Sequence, residues 1–331
     1  MLPSRDDYVE TYFTLFEIFQ QGRDQHLKRG RPYTYADKVL ILFFTMMLIK
    51  RITAFKAQHR WLVNHPAEAW RLGFETVPHR TTLSRRFKQL NGTIREFTIF
   101  IGWWAEMLSP VFNSHILVED ASLFKALGPV WHQSDRKANR IPEKLRNLDT
   151  DASWGKSGYH GWVYGYCLHL TCNRIGFPKL VQVETASMDE SHILEQKNEA
   201  IFRLNPRALV ADNAYHKAMR IRHWAKAGVL LLTPAATWKN GRYARAYHQL
   251  ISKRPYCQWL ACRKTAIEPV FDLFAKVLGT TNNQKQLPMQ NLANVRTFLS
   301  LGVLTVQIAM IVNNVWQLPP RQISNLLSVF N

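Results

Sequence analysis

The chain has 331 residues and a mass of 38.6 kDa, long enough for two domains with sizeable cores. Its 47% hydrophobic and 12% aromatic content excludes a disordered tail, and only four cysteines exclude a secreted disulfide scaffold. Forty-three Lys and Arg against 24 Asp and Glu leave a formal charge of +19, so a polyanion is the expected partner. Nucleic acid stands ahead of an acidic membrane, because the positive charge is spread along the chain instead of lying beside an apolar span.

In chain order, Met1-Leu2-Pro3-Ser4-Arg5-Asp6-Asp7 has no apolar run followed by a cleavage site, so no signal peptide is read. Residues 7–110 read as helical, with apolar positions recurring at three and four and few Gly or Pro. The apolar runs 39–49 (11 residues) and 298–312 (15 residues) fall short of the roughly 20 that a bilayer needs. Both are expected as buried core helices, with no membrane partner and a cytoplasmic location.

The window 23–95 holds 15 basic and 4 acidic residues. Within it, Arg80-Thr81-Thr82-Leu83-Ser84-Arg85-Arg86-Phe87-Lys88-Gln89-Leu90 reads as a helix with Thr81 as N-cap. Leu83, Phe87 and Leu90 share one face, Arg85, Lys88 and Gln89 lie opposite, and Arg86 flanks. A short helix over 67–72 and a turn containing Gly73 precede it, which gives the pattern of a helix-turn-helix. The other reading is an ordinary surface helix with solvated charges. If it meets DNA, its candidate contacts are Arg80, Thr82, Ser84, Arg85, Arg86 and Lys88.

From about residue 112 the texture changes to short β-type runs at 116–118, 163–170, 180–183, 208–210 and 229–232, with helices expected over 190–202 and 215–227. Consecutive strands followed by strand–helix–strand units predict an α/β mixed sheet flanked by helices, behind an all-helical region over 1–111. The polar stretch 135–159 reads as a long loop, with Asp149 and Asp151 solvated in it. An apolar helix over 291–316 is expected to pack on the sheet.

Three acids stand out by position. Asp120 follows the apolar run 116–118, with Glu119 beside it; Asp212 ends Ala208-Leu209-Val210-Ala211; Glu268 opens a helix with Pro269 in its first turn. An acid at the end of a buried strand costs desolvation energy unless something compensates. Residues 213–267 contain 11 Lys or Arg and no Asp or Glu, so Glu268 is the first acid after Asp212. Carboxylates in a segment that follows phosphates would repel the ligand, and the acid that does occur reads as a ligand to a cation. Mg²⁺ is held by one or two carboxylates together with substrate phosphate. Glu119 replaces Asp120 in this set if the strand register slips by one. Asp189 and Glu190 precede a helix and read as an acid cap.

At these residues a family resemblance enters. Leu117-Val118-Glu119-Asp120-Ala121-Ser122 resembles the first catalytic strand of DDE transposases from bacterial insertion sequences. The likeness continues through residues 159–170, Gly176-Phe177-Pro178, residues 184–191, Val210-Ala211-Asp212-Asn213-Ala214-Tyr215, Ala227-Gly228-Val229, the Pro234 segment and Ile267-Glu268-Pro269-Val270-Phe271. It spans roughly 112–280. The resemblance implies an RNase H-like fold in residues 112–331, with Asp120, Asp212 and Glu268 binding two Mg²⁺ or Mn²⁺ ions. It also implies cleavage at transposon ends by water attack, then joining of the freed 3′ hydroxyl to target DNA. The relatives' Tyr–Arg–Glu–Lys signature is altered here. Lys264, with Arg263 adjacent, stands four residues before Glu268, Ala261 takes the usual Tyr place, and Lys276 falls one place late. Arg263, Lys264 and Lys276 are the residues left to contact phosphate.

Under this reading the partners are double-stranded DNA, at the element's ends and the target, and a second copy of the chain, since joining two ends needs paired sites. Two rival readings stay open: a metal-dependent DNA nuclease without strand transfer, and a catalytically silent DNA-binding repressor of transposition. Cys167 and Cys172, and likewise Cys257 and Cys262, are spaced as CxxxxC; the first pair spans a strand, where Cys is a small buried hydrophobe, and this weighs against a zinc site. Gly155-Lys156-Ser157-Gly158 lacks the full phosphate-loop pattern, so no nucleotide cofactor is expected. Trp238 or Trp259 is a candidate for stacking on a flipped base.

Overall fold

The computed structural model describes residues 2–23, 33–158, 161–234, 242–281 and 285–330. Trp238 lies outside them. Helices α1 (Arg5–Gln21), α2 (Asp37–Ile49), α3 (Phe55–Asn64), α4 (Pro66–Leu72), α5 (Arg80–Gln89) and α6 (Asn91–Leu108) come first. Strand β1 (Ile116–Lys125), helix α7 (Gln133–Lys137), and strands β2 (Ser153–Ser157), β3 (Gly161–Asn173) and β4 (Pro178–Thr185) follow. Then come α8 (Glu190–Arg203), β5 (Ala208–Val210), α9 (Ala218–Lys226), β6 (Leu230–Leu232), α10 (Arg242–Ser252), α11 (Tyr256–Ala266), α12 (Glu268–Leu278), α13 (Leu292–Val315) and α14 (Ser324–Phe330). Each apolar run expected to form a strand does so, and the polar stretch 135–159, expected as loop, contains α7 and β2.

The chain forms two compact units: Met1–Ile101, Lys125–Ala152 and Leu273–Asn331 in one, Gly102–Phe124 and Ser153–Asp272 in the other. This division differs from a single cut near residue 112, because the C-terminal helix joins the N-terminal ones. In the first unit α13 packs against α1, α2 and α5, in place of the sheet contact expected for it. It is the helix among the described residues long and apolar enough to span a bilayer, and 94% of its apolar window is buried in the protein. Two of its polar side chains donate into the core: Thr297 Oγ1 to Phe87 O (3.0 Å) and Gln307 Nε2 to Thr98 O (2.8 Å). Asp149, expected in solvent, is buried, and together with the exposed Asp151 it holds the N-terminus of α13. Asp149 Oδ2 accepts from Asn291 N (3.2 Å) and Asp151 Oδ2 from Leu292 N (3.0 Å), which supplies acceptors and negative charge where a helix lacks both.

The second unit is built on a six-stranded sheet of order β2-β3-β1-β5-β6, with β4 also paired to β3. β2 and β4 run antiparallel to β3, while β5 lies parallel to β1 and β6 parallel to β5. Consecutive antiparallel strands with two parallel strands added beside β1 are the mixed α/β, RNase H-like arrangement that the resemblance implied. Gly176 makes the turn from β3 to β4 at φ +82°, and a Cβ there would stand 2.4 Å from Val270 Cγ2, so both backbone and space require glycine. Lys179 is fully buried, and its Nζ donates to Gly102 O (2.6 Å) and Glu106 Oε1 (2.9 Å).

Candidate active site

The site is set by the register of three short parallel strands. Ile116, Leu117 and Val118 pair with Ala208, Leu209 and Val210, which pair in turn with Leu230, Leu231 and Leu232. All but the half-exposed Leu230 are buried. Asp120 and Asp212 each stand two residues beyond the pair Val118–Val210, so β1 and β5 deliver their carboxylates at the same level.

The alternation of β1 decides between Glu119 and Asp120. Glu119 is completely buried: Lys197 Nζ on α8 donates to Oε1 (2.7 Å) and Oε2 (2.8 Å), and Thr171 Oγ1 on β3 donates to Oε2. Burial pushes the Glu119 carboxyl up and the Lys197 ammonium down, and their contact opposes both shifts. His169 on β3 is buried with neither ring nitrogen hydrogen-bonded. Burial, then the charge of Lys197, lower its pKa to about 3, so it is neutral. Glu119 thus belongs to a closed polar cluster, and a ligand role for it falls away.

Asp120 takes the other face. Its Oδ1 accepts from Ala121 N (2.9 Å) and its Oδ2 from Arg263 Nη1 on α11 (2.7 Å). Burial raises its pKa to about 6; the Ala121 N–H and Arg263 oppose the rise, and the charges of Asp212 and Glu119 add to it. Asp212 is half-buried, and its Oδ1 accepts from Ala214 N (2.8 Å) at the start of a 3₁₀ turn over Asn213–Tyr215. Glu190, the first residue of α8, joins this group. Burial, then the charges of Asp212, Asp120 and Glu119, push its carboxyl up to about 7, and the Tyr215 hydroxyl opposes them. Asp189 beside it is the helix cap, its Oδ1 accepting from His192 N (3.0 Å). An acid pair read as one cap therefore splits into a cap and a member of the site, and only the doubled acid hinted at it.

Glu268 opens α12 and is exposed. Among the described residues, no group of three or more His, Cys, Asp or Glu is arranged to hold a metal ion. The Asp120–Asp212 pair does fit a hard divalent cation, with oxygen donors and a mutual repulsion that a positive charge relieves. The expected triad with Glu268 is not assembled.

Lys264 and Lys276 are exposed, whereas Arg263 is committed to Asp120. Trp259 is half-buried and meets Tyr256 edge-on at 5.5 Å. Cys167 and Cys172 are buried free thiols on β3, and Cys257 and Cys262 are half-buried on α11.

On α5, Arg80, Arg85 and Lys88 are exposed and Thr82 and Ser84 half-buried. Thr81, Ser84, Arg85, Lys88 and Gln89 line an open depression of about 460 Å³. Arg86, expected to contact DNA, is buried instead: it is bonded to Asp37 and stacked 3.7 Å from the Tyr33 ring centroid. The expected N-cap Thr81 is also displaced, because the cap is His79 two residues earlier, whose Nδ1 accepts from Thr81 N (3.4 Å). α4 and its left-handed Gly73 (φ +96°) occur as expected, but the helix that α5 packs against in this region is α3.

Residues 115–298 match the family described as transposase DDE domain, which is more than half of the chain, and the protein belongs to that family. A search of curated proteins gave no significant match. Among solved structures it is similar to a Mos1 transposase paired-end complex with left transposon end, at 13% identity over 85% of this chain and 88% of that one, TM-score 0.23. It is also similar to a piggyBac transposase synaptic complex with hairpin DNA, at 9% identity over 99% and 83%, TM-score 0.30. At these scores the likeness adds nothing to the assignment, which rests on the family match.

Proposed function

We propose that this DDE-family transposase binds the terminal repeats of a bacterial insertion sequence and catalyses metal-dependent cleavage and strand transfer at their ends. The observation that carries the reading is the delivery of Asp120 and Asp212 at one level by two parallel strands, in a chain of this family. Asp120 and Asp212 would hold Mg²⁺ or Mn²⁺, with Glu268 as third ligand in the DNA-bound state, and the ions would supply charge neutralisation and an activated oxygen for phosphodiester displacement.

The rest falls to the chain's own groups. Arg80, Arg85 and Lys88 on α5 bind the duplex, with Thr82 and Ser84 lining the same surface. Lys264 and Lys276 hold backbone phosphates near the cut. Glu190, with a pKa near neutrality, carries its proton part of the time, which limits the charge that three neighbouring carboxyls would otherwise accumulate. Two copies act together, one for each end, at the nucleoid in the cytoplasm.

The test is a cleavage-and-joining assay on duplexes carrying the element's own flanking ends, with Mg²⁺, with EDTA, and with Asp120→Ala, Asp212→Ala and Glu268→Ala. Metal-dependent nicking and joining lost in all three variants supports the reading. Nicking without joining leaves a nuclease. Binding without cleavage in any metal leaves a repressor.

A further inference from the structure

The adjacent acids of β1 are held in opposite ways. Glu119 is sealed, with both oxygens bonded to a buried ammonium and a third contact from Thr171. Asp120 is held by one bond from a guanidinium whose side chain is 25% exposed. A forked contact uses two parallel N–H···O bonds and is the strong form of this pairing. The single bond from Nη1 to Oδ2 is the weaker form, and partial exposure leaves the guanidinium a path to swing out. Among the described residues no cation is bonded to the Asp212 carboxylate, which accepts from Ala214 N. Among the described residues, then, one side-chain cation is bonded to this pair of carboxylates, the Arg263 guanidinium on Asp120.

We infer that Arg263 is an exchangeable placeholder on Asp120: in the DNA-free protein its guanidinium takes the oxygen that a divalent cation needs, so Arg263 and the cation compete for Asp120. This rests on the reading of Asp120 as a metal ligand. A phosphate is the natural second acceptor for the released guanidinium, because its planar donors suit phosphate geometry. DNA arrival then frees Asp120 at the moment the cation is needed, and before that the site binds metal more weakly.

The probe is Mn²⁺ alone, titrated into the DNA-free full chain and followed by the electron paramagnetic resonance signal of the free ion. Arg263→Ala should bind Mn²⁺ tighter than the unaltered protein by on the order of tenfold, the scale of one bond to a charged group. Arg263→Lys, which keeps the charge, should stay near the unaltered affinity, and Arg263→Gln serves as a second neutral variant should the alanine form fold poorly. In an Asp120→Asn background the Arg263 substitutions should change nothing. If Asp120→Asn weakens Mn²⁺ binding while Arg263→Ala and Arg263→Gln stay within twofold of the unaltered protein, the placeholder is overturned and the ligand reading survives. If Asp120→Asn leaves Mn²⁺ binding intact, the ligand reading falls and the placeholder with it.

Discussion

Asp120 and Asp212 lie 92 positions apart in sequence and at one level in the sheet, each two residues past the paired Val118 and Val210. Their proximity is electrostatic as well as topological, since the charge of Asp212 helps to raise the pKa of Asp120. Two like charges brought together at the end of a buried sheet are costly unless a cation or proton joins them. Asp120→Asn and Asp212→Asn each remove one charge and one donor. Each should lower DNA cleavage by more than about 100-fold, the scale at which even outer partners of a metal act, with duplex affinity unchanged. Cleavage close to the unaltered rate in either variant would remove that residue from the site.

The Glu119–Lys197 pair makes a stability prediction. Lys197→Met leaves a buried carboxylate without its cation and should cost about 3–5 kcal/mol, read from urea unfolding. Glu119→Gln combined with Lys197→Met removes both charges and should recover much of that loss. A single variant as stable as the unaltered chain would show that the pair is not formed in solution.

His169 should impose a pH dependence. Its pKa is lowered to about 3 by burial and Lys197, against a usual value of 6.5. Between those values the unfolded chain binds more protons than the folded one, so the stability it supports is complete above about pH 6.5 and is lost as pH falls toward 3. By pH 5 the loss from this group should reach about 2 kcal/mol. His169→Leu should flatten that part of the stability curve relative to the unaltered protein. Parallel curves for the two proteins between pH 7 and 5 would contradict a neutral buried His169.

If α5 meets DNA as proposed, it separates binding from folding within adjacent residues. Arg85→Ala and Lys88→Ala should weaken duplex binding with little change in stability, each reducing the slope of log affinity against log salt by about 0.9 if it meets one phosphate. Arg86→Ala should instead cost about 2–3 kcal/mol of stability, below the full price of a buried pair because the Asp37 side chain is 24% exposed. The check is a salt titration of DNA affinity beside urea unfolding. Loss of binding without loss of stability in the Arg86 variant would return that residue to the DNA surface.

These cases show what a sequence displays and what it hides. The triplets 116–118, 208–210 and 230–232 are apolar because the strands they form are covered on both faces, so strands and the acids after them were legible together. Asp120 and Asp212 were visible because an acid breaks an apolar run there. Arg86 looked like its exposed neighbours because Asp37, which buries it, lies 49 residues earlier. Glu190 was hidden by Asp189, whose capping role explained both acids at once. β2 was hidden inside a polar stretch, since its pairing with β3 is a backbone property that Lys156 and Ser157 do not announce. The compact units were illegible for a similar reason: α13 carries an apolar surface that suits either a sheet or a helical bundle, and only packing chooses.

Asp149 and Asp151 are the clearest case of partners distant in sequence. The polar stretch that carries them reads as solvated, yet Asp149 is fully buried and meets Asn291 N 142 residues later. Its Oδ1 also accepts from Asp151 N (3.3 Å), so one carboxylate orders the acid that caps Leu292 and itself holds the residue before it. Asp149→Ala removes both acceptors and leaves the part-buried N–H groups of Asp151 and Asn291 without them, which should cost about 1–2 kcal/mol. Asp149→Asn keeps an acceptor oxygen but loses the charge favoured at a helix N-terminus, so its cost should be smaller. Hydrogen exchange at the amides of residues 291–293 should quicken first in the alanine variant, before the centre of α13 responds. Unchanged exchange at those amides, with stability intact, would show that the helix start is held by something other than these two carboxylates.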